Sequence, residues 1–197
     1  RRHSFPTRRS SDLDIEAVFD IDGSEQRVRG QVQVATTKGE VKSLHLIPAK
    51  PRFTPEASKA LADADWITFG PGSWFSSVMP HLLLGAEADA IASSPAKKVV
   101  IFNLPEPMSA REFAGSSTAD HLRFILNHVP GLRIDYALVD KSSVSQSQQR
   151  ADLKEVVESC GGTVIVEDLR REDDPIHHDV TKLNSALSHI FNSSLLR

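Results

Sequence analysis

Apolar positions recur with a period of two in the first quarter of the chain. Ile15, Ala17 and Phe19 lie at alternate positions, and the alternation returns over residues 28–36 and 41–47. This period is typical of half-buried strands, with turns where Gly and Asp cluster between them. Residues 14–50 are therefore predicted to form a small antiparallel β meander, which ends where prolines become frequent.

From residue 51 onward, short apolar runs alternate with segments of helical period. Thr54 and Pro55 are suited to open a helix through Leu61. Strands are predicted at residues 65–69, 97–103, 134–140 and 163–166. The resulting order, αβαβαβαβα, is typical of a parallel sheet covered by helices. Residues 51–197 are thus predicted to be a Rossmann-like α/β layer.

The helices between these strands have their own boundary signals. One helical segment is expected to run from the Gly-rich turn after residue 69 to about residue 92. Ser117 and Asp120 have the spacing of a capping box, and Gly161-Gly162 would end the helix before the last strand. Asp179 is expected to cap a final helix that directs Leu183, Leu187 and Ile190 inward.

The segment Gly70-Pro71-Gly72-Ser73 lies between a predicted strand and a predicted helix. Glycines there allow a tight turn and a close approach of the backbone to a ligand. Free N–H groups at a helix start favour an anion, so Gly72 and Ser73 are expected to present N–H groups to a phosphate. A plain turn that reverses the chain is the alternative. The segment matches no nucleotide-binding fingerprint, so it indicates no specific nucleotide.

Other polar residues are predicted to share the same edge of the sheet. Asn103 and Asp140 follow strands there, as do Glu167 and Asp168. The stretch 176–179 places two histidines before the last helix, where they could contact an anionic ligand. No metal site is expected, since adjacent histidines diverge and no cysteine is near.

The charge balance argues against a nucleic-acid partner. The chain has 197 residues and a formal charge of −3, but residues 1–13 alone carry +3, so the remainder carries −6. Binding a polyanion needs a basic face. No apolar run reaches the roughly 20 residues that span a bilayer. The single cysteine, Cys160, permits no internal disulfide and fits a reducing, cytoplasmic location.

The first residues, RRHSFPTRRSSDL, differ in amino-acid composition from the rest of the chain. They are rich in Arg and Ser, which a transit peptide would also be, but they are short and lack an amphipathic period. They resemble the translation of a sequencing-library adapter. Residues 1–13 are therefore expected to be a disordered artefact, with authentic sequence resuming at Asp14 and an N-terminal part missing.

Four segments carry a family resemblance: ADWITFGPGSWFSSVMPHLLL, AKKVVIFNL, ADHLRFIL and IHHDVTKL. Together they resemble the gluconeogenesis factor family of the YvcK type, related to 2-phospho-L-lactate transferase (CofD), and the spelling is most similar to actinobacterial members. The resemblance implies a cytoplasmic protein that binds a uridine-diphosphate (UDP) sugar or a related phosphorylated small molecule. It also implies a role in cell shape and growth on gluconeogenic carbon, with no established reaction. Homo-oligomer formation is left open. The implied ligand-binding residues are Gly70, Gly72, Ser73, Asn103, His177, His178 and Asp179.

The sequence departs from this family in several places. Nothing matches the Gly-rich strand-turn-helix with which members open. Residues 107–110, Pro-Met-Ser-Ala, replace the usual Pro-Gly-Glu-Thr. His177 replaces an Arg, which removes a guanidinium group whose forked geometry suits a diphosphate. The alternative function is a CofD-like phosphotransferase that would need Mg²⁺, but those relatives tend to read Gly-Pro-Ser-Asn at residues 70–73.

Overall fold

The computed structural model describes residues 13–105 and 116–193. The expectations for residues 1–12 and for residues 107–110 lie outside this part of the chain. The described residues form two sheets and their helices. In chain order the elements are β1 (Asp14–Ile21), β2 (Ser24–Arg29), α1 (Gln31–Thr36), β3 (Glu40–Ile47), α2 (Pro55–Ala62), β4 (Trp66–Phe69), a π-helical turn (Trp74–Val78), α3 (Met79–Leu83), α4 (Gly85–Ser93), β5 (Lys97–Ile101), α5 (Thr118–His128), β6 (Tyr136–Asp140), α6 (Ser147–Ser159), β7 (Thr163–Glu167) and α7 (Val180–Ser193).

The N-terminal sheet is antiparallel, with β1 between β2 and β3. Its buried face comes from the predicted alternation, because Ile15, Ala17 and Phe19 are each almost fully enclosed. These side chains join the main core cluster with residues of β4 and of the π-helical turn. The small sheet is therefore packed onto the same core as the larger one.

The predicted strand over residues 28–36 is wrong beyond residue 29. β2 ends at Arg29, and α1 begins after Gly30, whose φ of 103° turns the chain. In α1 Val34 is buried whereas Val32 is 70% exposed, so the two do not share a face as strand residues would. A period-two pattern only a few residues long does not exclude one helical turn, and packing against the core decided the outcome.

The larger sheet is parallel, with strand order β4-β5-β6-β7. Successive residues of β5 pack on opposite faces: Val100 joins a core with α4, α5 and α6, whereas Val99 and Ile101 join one with α7. Such strands are buried on both sides, which explains their nearly continuous apolar runs. The Rossmann-like α/β prediction, with a small antiparallel β region, is confirmed.

The helical segment expected between residue 73 and about residue 92 is divided into three pieces. The π-helical turn passes directly into α3, which carries Pro80 in its first turn. Leu84 then has a non-helical ψ of 96°, and α4 starts at Gly85. Proline supplies no N–H, so it is tolerated at a helix start and opposes a continuous helix through this region.

The predicted caps are confirmed at three helices. Thr54 Oγ1 accepts a bond from Ala57 N. Ser117 and Asp120 form the reciprocal capping box at α5. Asp179 Oδ1 accepts from the N–H groups of Thr181 and Lys182 at the start of α7. These local signals succeed because a cap depends on residues only two or three positions apart.

None of the helices within residues 13–105 and 116–193 combines the length and apolar character needed to cross a membrane.

Candidate ligand-binding site

The turn after β4 has a backbone that requires glycine at one position. Gly70 has a φ of 77°, and a β carbon there would lie 2.6 Å from the carbonyl oxygen of Ile101. Both the left-handed conformation and the proximity to β5 exclude other side chains. The turn is therefore held close to the carboxyl end of the neighbouring strand.

Asn103, which follows β5, ties this turn to the sheet. Its Oδ1 accepts a bond from Gly72 N at 2.8 Å, and its Nδ2 donates to Gly72 O at 2.8 Å. The turn and Asn103 do lie together, as the sequence predicted. However, the Gly72 N–H already has a partner, so it is not the free donor that the sequence suggested for a phosphate.

Ser73 is the cap of the π-helical turn. Its Oγ accepts from Ser76 N at 3.0 Å, and the two hydroxyl groups lie 2.7 Å apart. The Ser73 hydroxyl therefore acts as a cap. Ser76 takes part in the same arrangement, so it belongs to the local architecture of the turn.

A cavity of about 300 Å³ opens beside Asn103, beyond the carboxyl ends of β5 and β6. Its apolar wall is made by Trp74 and Phe102, whose ring centroids are 5.7 Å apart, with Leu104 and Pro105. Ligands of open parallel α/β sheets bind beyond this edge. The cavity is accordingly the candidate site.

Another part of the cavity lining is rich in hydroxyl groups from two loops. One loop precedes α5 and the other joins β6 to α6; the residues are Ser116, Ser117, Thr118, Ser142, Ser143 and Ser145. Ser143 Oγ is buried and has no hydrogen-bond partner among the described residues. The sequence analysis did not predict these hydroxyl groups in the site, although the serine-rich composition of residues 142–147 was a usable signal.

The described lining of the cavity is polar and carries few ionisable groups. Within the described chain it includes no Lys, Arg, Asp or Glu; Asn103, Gln149 and the hydroxyl groups supply its polarity. Just outside, at the start of α5, hydrogen bonds from the Ser117 backbone and hydroxyl hold the pKa of Asp120 below its usual value. That carboxylate opposes an anion at the same helix end, so the described part of the lining favours an uncharged, hydroxyl-bearing group.

Asp140, at the end of β6, is fully buried and supports the loop behind the cavity. Its Oδ1 accepts from Ser142 N at 2.8 Å and also from the Ser142 hydroxyl. Its Oδ2 accepts from Leu169 N at 2.8 Å. Asp140 therefore joins the loops that follow β6 and β7, and it does not line the cavity.

His178 lies behind the site instead of in the cavity. Its half-buried ring hydrogen-bonds the backbone of Phe102, and its Nε2 is enclosed with no hydrogen-bond partner in the described chain. Because Phe102 N already donates to Leu138 O, the partner of the ring is the Phe102 carbonyl. His178 thus contacts the residue before Asn103, which makes it a support of the site.

Acidification should destabilise the protein through His178. Burial lowers the pKa of His178, although the charge of Asp140 and the bond to Phe102 partly oppose this. Its contribution to stability is complete above the ordinary histidine pKa of about 6.5 and is lost as pH falls from there toward the lowered pKa. Urea unfolding at pH 7.5 and 5.5 should show a smaller loss of stability in His178→Gln than in the parent.

The control for this experiment is His177→Gln. His177 is exposed, and its Nδ1 lies 2.7 Å from Asp174 Oδ2. Between pH 7.5 and 5.5, this variant should lose as much free energy of unfolding as the parent does. An equal pH dependence in His178→Gln and the parent would contradict the assignment to His178.

The remaining sequence candidates lie outside the cavity. His177 points to solvent, and Asp179 is occupied as the cap of α7. Asp168 lies 2.9 Å from Lys182 and 3.5 Å from Lys141, and the hydrogen bond from Lys182 lowers its pKa. Of the seven implied ligand-binding residues, only Asn103 lines the cavity, with the glycine turn bonded to it.

The family model for "2-phospho-L-lactate transferase CofD" matches residues 7–195, which is nearly the whole chain. The chain belongs to the CofD-like family. Its curated relatives include gluconeogenesis factors, so the family resemblance seen in the sequence is confirmed.

Two relatives illustrate the extent of the match. A protein of Mycobacterium tuberculosis in this family is 35% identical over 185 residues, which are 90% of this chain and 52% of the relative. The gluconeogenesis factor of Listeria monocytogenes is 31% identical over 168 residues, which are 81% of this chain and 52% of the relative. The chain spans about half the length of these curated relatives.

Solved structures agree with the fold. A crystal structure of a UPF0052 family member from Bacillus halodurans has a TM-score of 0.68 at 24% identity, covering 89% of this chain and 58% of that one. A second crystal structure of a protein from the same organism has a TM-score of 0.69 at 25% identity, with the same coverage. The two-sheet architecture is therefore a shared one.

Proposed function

We propose that this CofD-like protein binds a nucleotide sugar of the UDP-sugar class at the carboxyl edge of its parallel sheet. The observation that carries the proposal is the cavity beside the glycine turn, whose described lining combines aromatic and hydroxyl-bearing side chains and includes no Lys, Arg, Asp or Glu. A sugar ring matches this lining, since its hydroxyl groups need hydrogen-bond partners and its apolar face suits an aromatic neighbour.

The two parts of the ligand would meet different parts of the site. The uncharged sugar would occupy the cavity, where Ser143 Oγ and Gln149 offer hydrogen bonds. The diphosphate would lie toward the turn at residues 70–73, outside the described lining of the cavity. There the Gly72 N–H could donate to a phosphate only if its present bond to Asn103 Oδ1 were broken. Asn103 would therefore act by fixing the shape of the turn.

Replacing Asn103 by Ala should weaken the binding of UDP-glucose more than tenfold, or by more than about 1.4 kcal/mol. The substitution removes both bonds to Gly72 and leaves the backbone of Gly72 without its tie to the end of β5. Calorimetric titration of the folded variant and the parent with UDP-glucose measures the change.

The matched control is Asn127→Ala, the same change at an exposed position of α5. It should bind as the parent does. Absence of saturable UDP-glucose binding to the parent would reject the proposed ligand. Parental affinity in Asn103→Ala would reject only the role of the turn.

The wider role that we propose is that of a gluconeogenesis factor, acting in cell shape and growth on gluconeogenic carbon without catalysing a reaction. The names of the curated relatives support the gluconeogenesis-factor part of this role. Expression of the chain in a Listeria monocytogenes strain that lacks its own gluconeogenesis factor tests it. Failure of a folded, UDP-glucose-binding chain to restore growth on gluconeogenic carbon would argue against the role.

The alternative is a phosphotransferase activity, which the description of the matching family model favours. That model names 2-phospho-L-lactate transferase. The direct test incubates the protein with Mg²⁺, activated phospholactate and the deazaflavin precursor. Product formation above the level of a boiled sample would replace the regulatory proposal with the enzymatic one.

A further inference from the structure

One hydroxyl group of the cavity lining is not used by the described part of the chain. Ser143 lines the cavity, and its Oγ is enclosed without a hydrogen-bond partner among the described residues. Other polar side chains of the lining are occupied. Asn103 bonds Gly72 through both polar atoms of its amide. The Ser117 hydroxyl donates to Asp120 Oδ2 at 2.8 Å. An enclosed hydroxyl without a partner is unfavourable, so Ser143 Oγ does not stabilise the fold.

The backbone on either side of Ser143 is held in place. Ser143 N donates to Asp140 O at 2.9 Å, and the preceding Ser142 bonds the Asp140 carboxylate through its N–H and its hydroxyl. The following residue, Val144, is buried in the main core. Because the main chain is fixed, the Ser143 hydroxyl changes its position by rotation about χ1, among the staggered positions that a serine oxygen can occupy.

Such a rotation has a different cost at the two neighbouring serines. Ser142 could turn only by giving up its bond to the buried Asp140 carboxylate. At Ser143 the rotation breaks no hydrogen bond within the described chain. A serine hydroxyl donates one bond and accepts others, as the hydroxyl groups of a sugar do. Ser143 can therefore turn toward a ligand hydroxyl without losing a bond elsewhere.

We propose that Ser143 is a specificity-determining residue, whose hydroxyl turns into the cavity and bonds a hydroxyl group of the bound sugar. This inference rests on the proposed function, which assigns the sugar to the cavity. A nucleotide without a sugar there gives Ser143 Oγ no partner. Through this residue, the site favours a nucleotide sugar over the corresponding nucleoside diphosphate.

Ser143 is then expected to affect ligand affinity and protein stability in different ways. Its hydroxyl bonds nothing in the described chain, so its removal should leave the urea midpoint of unfolding unchanged or raise it. A serine that supported the fold would lower the midpoint when replaced by Ala. That result is expected for Ser142→Ala, which removes a donor from the buried Asp140 carboxylate.

The test is calorimetric titration of the parent and Ser143→Ala with UDP-glucose and, separately, with UDP. The dissociation constant for UDP-glucose should rise about fivefold or more in Ser143→Ala, whereas that for UDP should stay within about twofold. The matched control is Ser58→Ala, the same change at an exposed position of α2, which should leave both constants unchanged. Urea unfolding of the parent, Ser143→Ala and Ser142→Ala gives the midpoints.

Equal weakening of UDP-glucose and UDP binding in Ser143→Ala would overturn the inference, because the hydroxyl would not act on the sugar. Parental affinity for UDP-glucose in this variant would overturn it as well. A lowered urea midpoint in Ser143→Ala would show that the hydroxyl belongs to the fold, which also contradicts it. These three results leave the proposed function intact. Absence of saturable UDP-glucose binding to the parent would instead reject the proposed function, and this inference with it.

Discussion

Replacing Gly70 by Ala should lower the free energy of unfolding by about 2–5 kcal/mol, measured by urea denaturation at 25 °C. The left-handed backbone costs about 1–2 kcal/mol for an L-residue, and forcing atoms into a packed site costs about 1–3 kcal/mol more. Both costs apply here, because Gly70 has a φ of 77° and its β carbon would meet Ile101 O at 2.6 Å.

Gly23→Ala separates these two costs. Gly23 has a φ of 80°, but nothing lies within 4 Å of its β-carbon position. Its loss should be limited to the backbone part, about 1–2 kcal/mol. Equal losses in the two variants would mean that the turn moves away from β5 without penalty, which would contradict the close packing described for Gly70.

Replacing Asp140 by Ala should destabilise the protein by about 3–5 kcal/mol. The carboxyl group is fully buried and accepts bonds from Ser142 N, from the Ser142 hydroxyl and from Leu169 N. Its removal leaves these donors without their acceptor. Urea unfolding monitored by circular dichroism gives the difference in free energy.

Asp63→Ala is the corresponding change at the surface. Asp63 accepts a bond from Lys59 at 2.7 Å, but both side chains are mostly exposed, so the expected loss is about 0.5 kcal/mol or less. A loss below about 1 kcal/mol in Asp140→Ala would show that the loops after β6 and β7 hold together without the carboxyl group.

The architecture of the parallel sheet followed from local patterns. The apolar runs of β5 and β6 are continuous because both faces are buried, and the caps at Thr54 and Asp179 depend on neighbours a few positions away. The prediction was wrong over α1, where one turn of helix replaced a strand of matching pattern. Such short segments are determined by what they pack against.

The candidate site was predicted less completely, for a physical reason. Asn103 and the glycine turn were correctly expected to lie at one edge of the sheet. Two features of the site depend on contacts between distant segments. Asn103 uses both polar atoms of its side-chain amide on Gly72, and His178 bonds to the backbone of Phe102. The spacing of residue types along a chain carries no information about such partners.

The bond between Asn103 and Gly72 also sets an order of events during synthesis. The two residues are separated by 31 positions, so the glycine turn is synthesised well before Asn103. At about 5–20 residues per second, a ribosome needs roughly 2–6 s to add the intervening chain. A nascent chain arrested between Ser93 and Phe102 would contain every residue of the glycine turn and would still lack the amide that shapes it.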